Sequence, residues 1–188
     1  LNNKKPNINE EIVTKFAEII GKKWLSSEFM PENLFDYIYA VLHSPSYRIK
    51  YAEMLKTNLP RVPYPKDFEQ FSKLAHVGHE LRLWHLLKHK DCDLPNFITT
   101  FDGEQPDMEV KKIEYDEETQ SVYWNKTTCI KGVPLQLWEM FIGGYQPAQK
   151  WLKDRKNQNL SAIDIEHYQK VILTLSKTQE IMTQIDDI

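Results

Sequence analysis

Apolar positions recur every three or four residues in several stretches of the chain, and each such stretch predicts a helix. In 9–20, Ile12, Phe16, Ile19 and Ile20 share one face, behind Asn9 as N-cap and ahead of Gly21 as terminator. A second helix starts near Pro31, a favoured first-turn residue, and carries Leu34, Phe35, Ile38, Tyr39, Val41 and Leu42. Ser44-Pro45 breaks or kinks it, because the residue before proline avoids helical angles; Tyr47, Tyr51 and Leu55 then resume the stripe. Pro60, Pro63 and Pro65 make 59–66 an extended connector. The longest predicted helix, 67–90, is capped by Asp67. Its Phe68, Phe71, Leu74, Val77, Leu81, Trp84 and Leu87 cover much of the circumference, which predicts a central, buried helix.

The pattern changes after Pro95. Residues 96–99 read as a strand, and 110–115 and 121–130 are rich in β-formers on either side of Asp116-Glu117-Glu118-Thr119, a good hairpin turn. After Val133-Pro134 comes an apolar cluster of Leu135, Leu137, Trp138, Phe141 and Ile142, ended by Gly143-Gly144. Pro147 opens a short helix through Lys156. Ser161 with Asp164 three residues on resembles a capping box, ahead of a last helix carrying Ile165, Tyr168, Ile172, Leu175 and Met182. The expected fold is α+β and mainly helical. A small antiparallel β unit, at about 97–131, is inserted between N- and C-terminal helices that pack together. The 188 residues suit one domain, read as a helical lead-in 1–30, helices 31–90, a β-hairpin unit 91–133 and helices 134–188.

Composition narrows the class. With 41% apolar and 27% charged residues the chain should fold as a globule, and 12% aromatics exclude a disordered tail. No apolar run approaches the roughly 18 residues of a membrane span, and the polar start Leu-Asn-Asn-Lys-Lys-Pro carries no secretory signal. Leu1 in place of Met predicts a fragment of a longer polypeptide. Cys92 and Cys129 are too few for a disulfide framework or a four-thiolate zinc site, so a cytoplasmic setting is the default.

The net charge of −3 is unevenly spread. Residues 91–120 hold 10 acids against Lys111 and Lys112 alone. Two windows run the other way. Residues 43–66 carry Arg48, Lys50, Lys56, Arg61 and Lys66 against Glu53; residues 131–156 carry Lys131, Lys150, Lys153, Arg155 and Lys156 against Glu139 and Asp154. Local basic faces of this kind suit nucleic acid, and they are also ordinary solvated surface.

Candidate chemistry is sparse. His76, His79, His85 and His89 share one helix, but His79 and His89 are separated by roughly 15 Å along its axis, so no single ion bridges both pairs. His79-Glu80 is followed by Leu83 where a metalloprotease helix needs histidine. No metal site is expected. Asp107-Met108-Glu109-Val110-Lys111 ends in Glu-x-Lys. With Asp93 or Asp102 as a further acid, it fits a magnesium-dependent nuclease, where carboxylates hold the ion and the lysine orients water. The same charges suit an edge strand guarded against pairing. There is no P-loop, no G-x-G-x-x-G and no Asn/Asp-Pro-Pro-Tyr/Phe of an amino-methyltransferase. Tyr47, Arg48, Lys50 and Tyr51 follow the Ser-Pro break, where a helix start suits a phosphate. Gly143-Gly144-Tyr145-Gln146 leads into Lys150-Trp151-Leu152-Lys153-Asp154-Arg155-Lys156, which mixes cations with side chains able to read base edges.

Five segments resemble one family: residues 35–48 (Phe35-Asp36-Tyr37-Ile38-Tyr39 to Tyr47-Arg48), Leu59-Pro60-Arg61-Val62-Pro63, Ile142-Gly143-Gly144-Tyr145, residues 150–156, and Asp164-Ile165-Glu166-His167-Tyr168. In order and over about 30–186, they resemble the C-terminal specificity region of type ISP restriction-modification enzymes, often labelled predicted helicases. The resemblance implies a prokaryotic, non-catalytic, DNA-recognition part of a very large polypeptide. An adenine methyltransferase using S-adenosylmethionine, an ATP-driven translocase and a magnesium-dependent nuclease would lie upstream. Double-stranded DNA and the upstream methyltransferase are the implied partners, and no membrane is. From charge and placement, Arg48, Lys50, Lys131, Lys150, Lys153 and Lys156 are expected on phosphates, and Tyr47, Lys112, Asn125, Gln146, Arg155 and Asn157 at bases. Two other readings stand beside this one: a docking module that holds the methyltransferase without touching DNA, and the nuclease of Asp107, Glu109 and Lys111.

Overall fold

The computed structural model describes residues 6–93, 98–101 and 107–188. Its contacts group into two compact units, 1–86 with 178–188 and 87–177. The helix α8 (Ala162–Asp186) contributes to both.

The first unit is helical. Asn9 caps α1 (Glu10–Ile20), its side chain accepting from the Glu11 and Ile12 N–H groups, and Gly21 ends it at φ 64°. Pro31 opens α2 (Pro31–His43). Ser44 then leaves the helical region and its Oγ caps α3 (Pro45–Lys50), so Ser-Pro both ends one helix and starts the next. A single further turn, α4 (Ala52–Leu55), follows. Asp67 caps α5 (Phe68–His85) by accepting from the Gln70 N–H. This helix ends five residues short of the expected 90, and it buries one side (Phe71, Leu74, Ala75, Gly78, Leu81, Trp84) instead of much of its circumference.

That side lies on α2. The two helices approach so closely that a Cβ on Gly78 would collide with the Asp36 carbonyl oxygen and sit 3.2 Å from the Ala40 Cβ. Glycine is required here by the helix spacing. Phe16, Phe29, Tyr37 and Phe71 interlock at centroid distances of 5.4–6.3 Å. Phenols tie the proline-rich connector to this core: Tyr37 donates to the Pro63 carbonyl at 2.9 Å and Tyr47 to that of Arg61 at 3.0 Å. As expected, the end of the last helix returns to the N-terminal helices. Asp186 accepts from Ser44 Oγ (2.5 Å), Ser46 Oγ (3.0 Å) and the Ser46 N–H (2.9 Å).

The second unit is built on a four-stranded antiparallel sheet of β1 (Ile98–Phe101), β2 (Glu114–Asp116), β3 (Ser121–Tyr123) and β4 (Thr128–Lys131), in the order β1-β4-β3-β2. The turn at 117–120 is the expected one. The long β-rich run 121–130, however, is two strands. Asn125 folds it back by accepting from the Thr127 and Thr128 N–H groups, which makes Val122 pair with Ile130. Around the sheet lie α6 (Leu135–Glu139), α7 (Pro147–Lys153) and the first part of α8. Ser161 and Asp164 form the expected reciprocal cap: the Ser161 N–H donates to Asp164 Oδ2 (2.9 Å) and the Asp164 N–H to Ser161 Oγ (3.2 Å). Val110, Val122, Trp124, Ile130, Leu152, Tyr168 and Ile172 form the core. No helix of the described residues is long and apolar enough to cross a membrane.

Candidate nucleic-acid interface

Most candidate side chains lie in the second unit, and its loops explain where they stand. Residues 107–110 run beside 157–160: the Val110 N–H donates to the Gln158 carbonyl, the Asn157 N–H to that of Val110, and the Leu160 N–H to that of Met108. The Lys111 N–H donates to the Trp124 carbonyl. Asn125 locks the junction, its Nδ2 donating to the carbonyls of Asp107 (2.6 Å) and Glu109 (3.0 Å). Three segments far apart in sequence thus meet, and Lys112, Lys126, Lys156 and Asn157 are exposed around them.

Asn125 itself is 3% exposed, with both ends of its amide committed to this fold. Tyr47 is likewise buried, and burial pushes its phenol above the usual range. These two expected base readers face inward. Arg48 is half-buried and Lys50 exposed on the same short helix, Lys50 lying 5.4 Å from the Tyr51 ring. The helix start that suits a phosphate is filled by the Asp186 carboxylate.

Beyond the tight turn at Gly143-Gly144, where the Ile142 N–H donates to the Tyr145 carbonyl, Gln146 donates from Nε2 to the Glu139 carbonyl at 3.2 Å. Lys150 pairs with Asp154 at 2.6 Å, and Lys153 donates to Gln149 at 2.9 Å. Lys112 pairs with Glu114. Among the described residues no carboxylate pairs with Lys50, Lys126, Lys131, Lys153 or Lys156, and all five are exposed. Arg155 differs from all of them. Its guanidinium carbon sits 3.7 Å from the Trp151 ring centroid, and its Nη1 donates to the Trp151 carbonyl at 3.1 Å.

The Asp107, Glu109 and Lys111 side chains do come together. Lys111 Nζ lies 2.8 Å from Asp107 and 3.1 Å from Glu109, and its hydrogen bond to Asp107 holds that carboxyl below the usual range. The lysine thereby occupies the place of an ion between the acids. Asp93, a suggested further acid, pairs with Lys170 at 2.6 Å; Asp102 lies outside the described residues. No group of three His, Cys, Asp or Glu side chains among the described residues is placed to hold a metal. The helix histidines serve the fold: His79 lies 3.2 Å from the buried Asp36, and His85 bridges the Tyr39 hydroxyl (2.6 Å) and Thr178 Oγ1 (2.9 Å).

In the second unit helices surround a small sheet, and Lys112, Lys126, Lys131, Lys153 and Lys156 are exposed on it. The profile of the type ISP C-terminal specificity domain matches residues 1–184, and the chain belongs to that family. No curated protein matches it. Among solved structures, the chain is similar to a nuclease-deletion mutant of the type ISP restriction-modification enzyme LlaGI in complex with a DNA substrate mimic (TM-score 0.63, 21% identity, 83% of this chain and 14% of that one). It is also similar to DrdV in a DNA complex (TM-score 0.72, 21% identity, 95% and 20%). A third is the ATP-dependent type ISP restriction-modification enzyme LlaBIII bound to DNA (TM-score 0.69, 17% identity, 98% and 13%). The chain spans a fifth or less of the length of each.

Proposed function

We propose that this chain is the duplex-DNA target-recognition part of a restriction-modification polypeptide acting in the cytoplasm, and that it grips DNA through the second unit. The observation that carries the reading is the family match over residues 1–184, in a fold shared with enzymes solved on DNA. Lys131, Lys153 and Lys156, exposed and without carboxylate partners among the described residues, are the phosphate contacts. Lys150 adds to the field of these lysines, and Arg48 and Lys50 are the phosphate candidates of the first unit, taken by itself. Phosphate contacts set register, while Arg155, Asn157, Gln146 and Lys112 supply the side chains that select bases. The recognised adenine is then presented to a methyltransferase in the same polypeptide, which must extract it from the stack at a cost of a few kcal/mol. In this reading S-adenosylmethionine, ATP and magnesium serve other parts of the polypeptide.

The test is a salt series on the complete polypeptide carrying Lys131→Gln, Lys153→Gln and Lys156→Gln together. The plot of log affinity against log salt should become shallower by about 0.9 for each lysine that contacts a phosphate. An unchanged slope with intact methylation would favour the docking-module reading instead.

A further inference from the structure

We propose that Arg155 reads a guanine of the DNA target through a two-pronged contact, and that Trp151 is the positioning residue that holds its guanidinium for the purpose. The inference rests on the DNA-recognition reading above. Trp151 is stacked in turn on Tyr168, at 4.9 Å and 26°, and on His167, at 5.9 Å and 25°. Tyr168 is buried and donates to the Ala148 carbonyl at 3.1 Å. A guanidinium carbon lying 3.7 Å over the indole is therefore backed by a stack that reaches the core of the unit.

The ends of the group are held unequally. Nη1 spends one hydrogen on the Trp151 carbonyl. Nε lies 3.9 Å from Asp164 Oδ1, beyond hydrogen-bond reach, and the other oxygen of Asp164 is committed to Ser161. The second Nη1 hydrogen and both on Nη2 have no acceptor among the described residues, and the side chain is 30% exposed. What remains is a flat, two-donor fork with a fixed orientation. Among base edges only guanine offers two adjacent acceptors, O6 and N7. Adenine pairs an acceptor with a donor, cytosine offers a donor and thymine a single acceptor. A phosphate also accepts a fork, but it needs no fixed plane, and the exposed Lys153 and Lys156 are close to Arg155 in the chain to serve phosphates.

The experiment compares the complete polypeptide with Arg155→Met, which keeps the apolar stem, on a library randomised across the target. Discrimination at one guanine should fall about 10- to 100-fold, with the other positions and the salt slope unchanged. Trp151→Leu should erode the same position, and Trp151→Phe, which keeps an aromatic face, should restore it. Uniform weakening with a slope shallower by about 0.9 would make Arg155 a phosphate contact, and a loss of thermal stability with unaltered preference would make it structural. Either overturns the proposal. Failure of the unaltered polypeptide to prefer any sequence would instead sink the recognition reading beneath it.

Discussion

The two units differ in the charged side chains they bury. The first buries a carboxylate. Asp36, 3% exposed, receives Arg82 through Nε at 2.6 Å and Nη2 at 3.0 Å, with His79 beside it; His43 donates from Nδ1 to the Tyr39 carbonyl at 2.8 Å and faces His85 at 5.3 Å. The second has a core of apolar residues, buries neutral polar groups such as Asn125 and Thr128, and leaves Lys112, Lys126, Lys131, Lys153 and Lys156 exposed. Buried charges and imidazoles hold helices in register, whereas exposed ammonium groups are available to a polyanion. The contrast can be tested position by position.

The largest effect is expected at Gly78. Alanine there would drive a methyl group into the α2 backbone, so the helices must part, at about 3 kcal/mol or more. Thermal unfolding should drop by roughly 6–12 °C, and hydrogen exchange should accelerate in α2 and α5 before β3 and β4. Next is Arg82→Met, which strands the Asp36 carboxylate away from water and should cost about 3 kcal/mol. Asp36→Leu in the same chain should recover much of it. If Arg82→Met were silent, the inward use of charge would not be structural at all.

Acid comes third. Burial, and then the neighbouring His43, pull His85 down to about 4, and burial lowers His43 as well. Both imidazoles are neutral in the fold and charge more readily once unfolded. Their contribution is fully present above about pH 6.5 and is lost as pH falls from there toward 4, on the order of 2 kcal/mol. A denaturant midpoint that declines across that window, and declines less in His85→Gln, is the expected result. In the second unit, Asn125→Ala removes the clasp between 107–109 and 125–128 and should cost about 1–2 kcal/mol there. The smallest stability change belongs to Lys156→Gln, within about 0.5 kcal/mol, while DNA affinity becomes less salt-dependent.

Local chemistry was legible where it acts on neighbouring residues. Asn9, Gly21, Pro31, Ser44, Asp67 and the Ser161–Asp164 pair stand where the helix ends fall, because a cap needs only the next few backbone groups. Asn125 was the missed signal. An Asn inside a β-rich run is a turn former, and reading it so would have split 121–130 into the two strands that exist. The cations and Arg155 could be picked out by type, but not their pairing. That Lys150 is tied to Asp154 while Lys156 faces solvent depends on side-chain placement.

The one-dimensional pattern thus determined which stretches are helical or extended, where they stop, and which family they belong to, since these follow from local preferences and from segment order. Tertiary structure alone decided that Tyr47 and Asn125 turn inward, that a glycine must sit where α5 crosses α2, and that the Arg155 guanidinium lies over Trp151. Each of these depends on groups brought together across space, where burial and steric exclusion act without regard to separation along the chain.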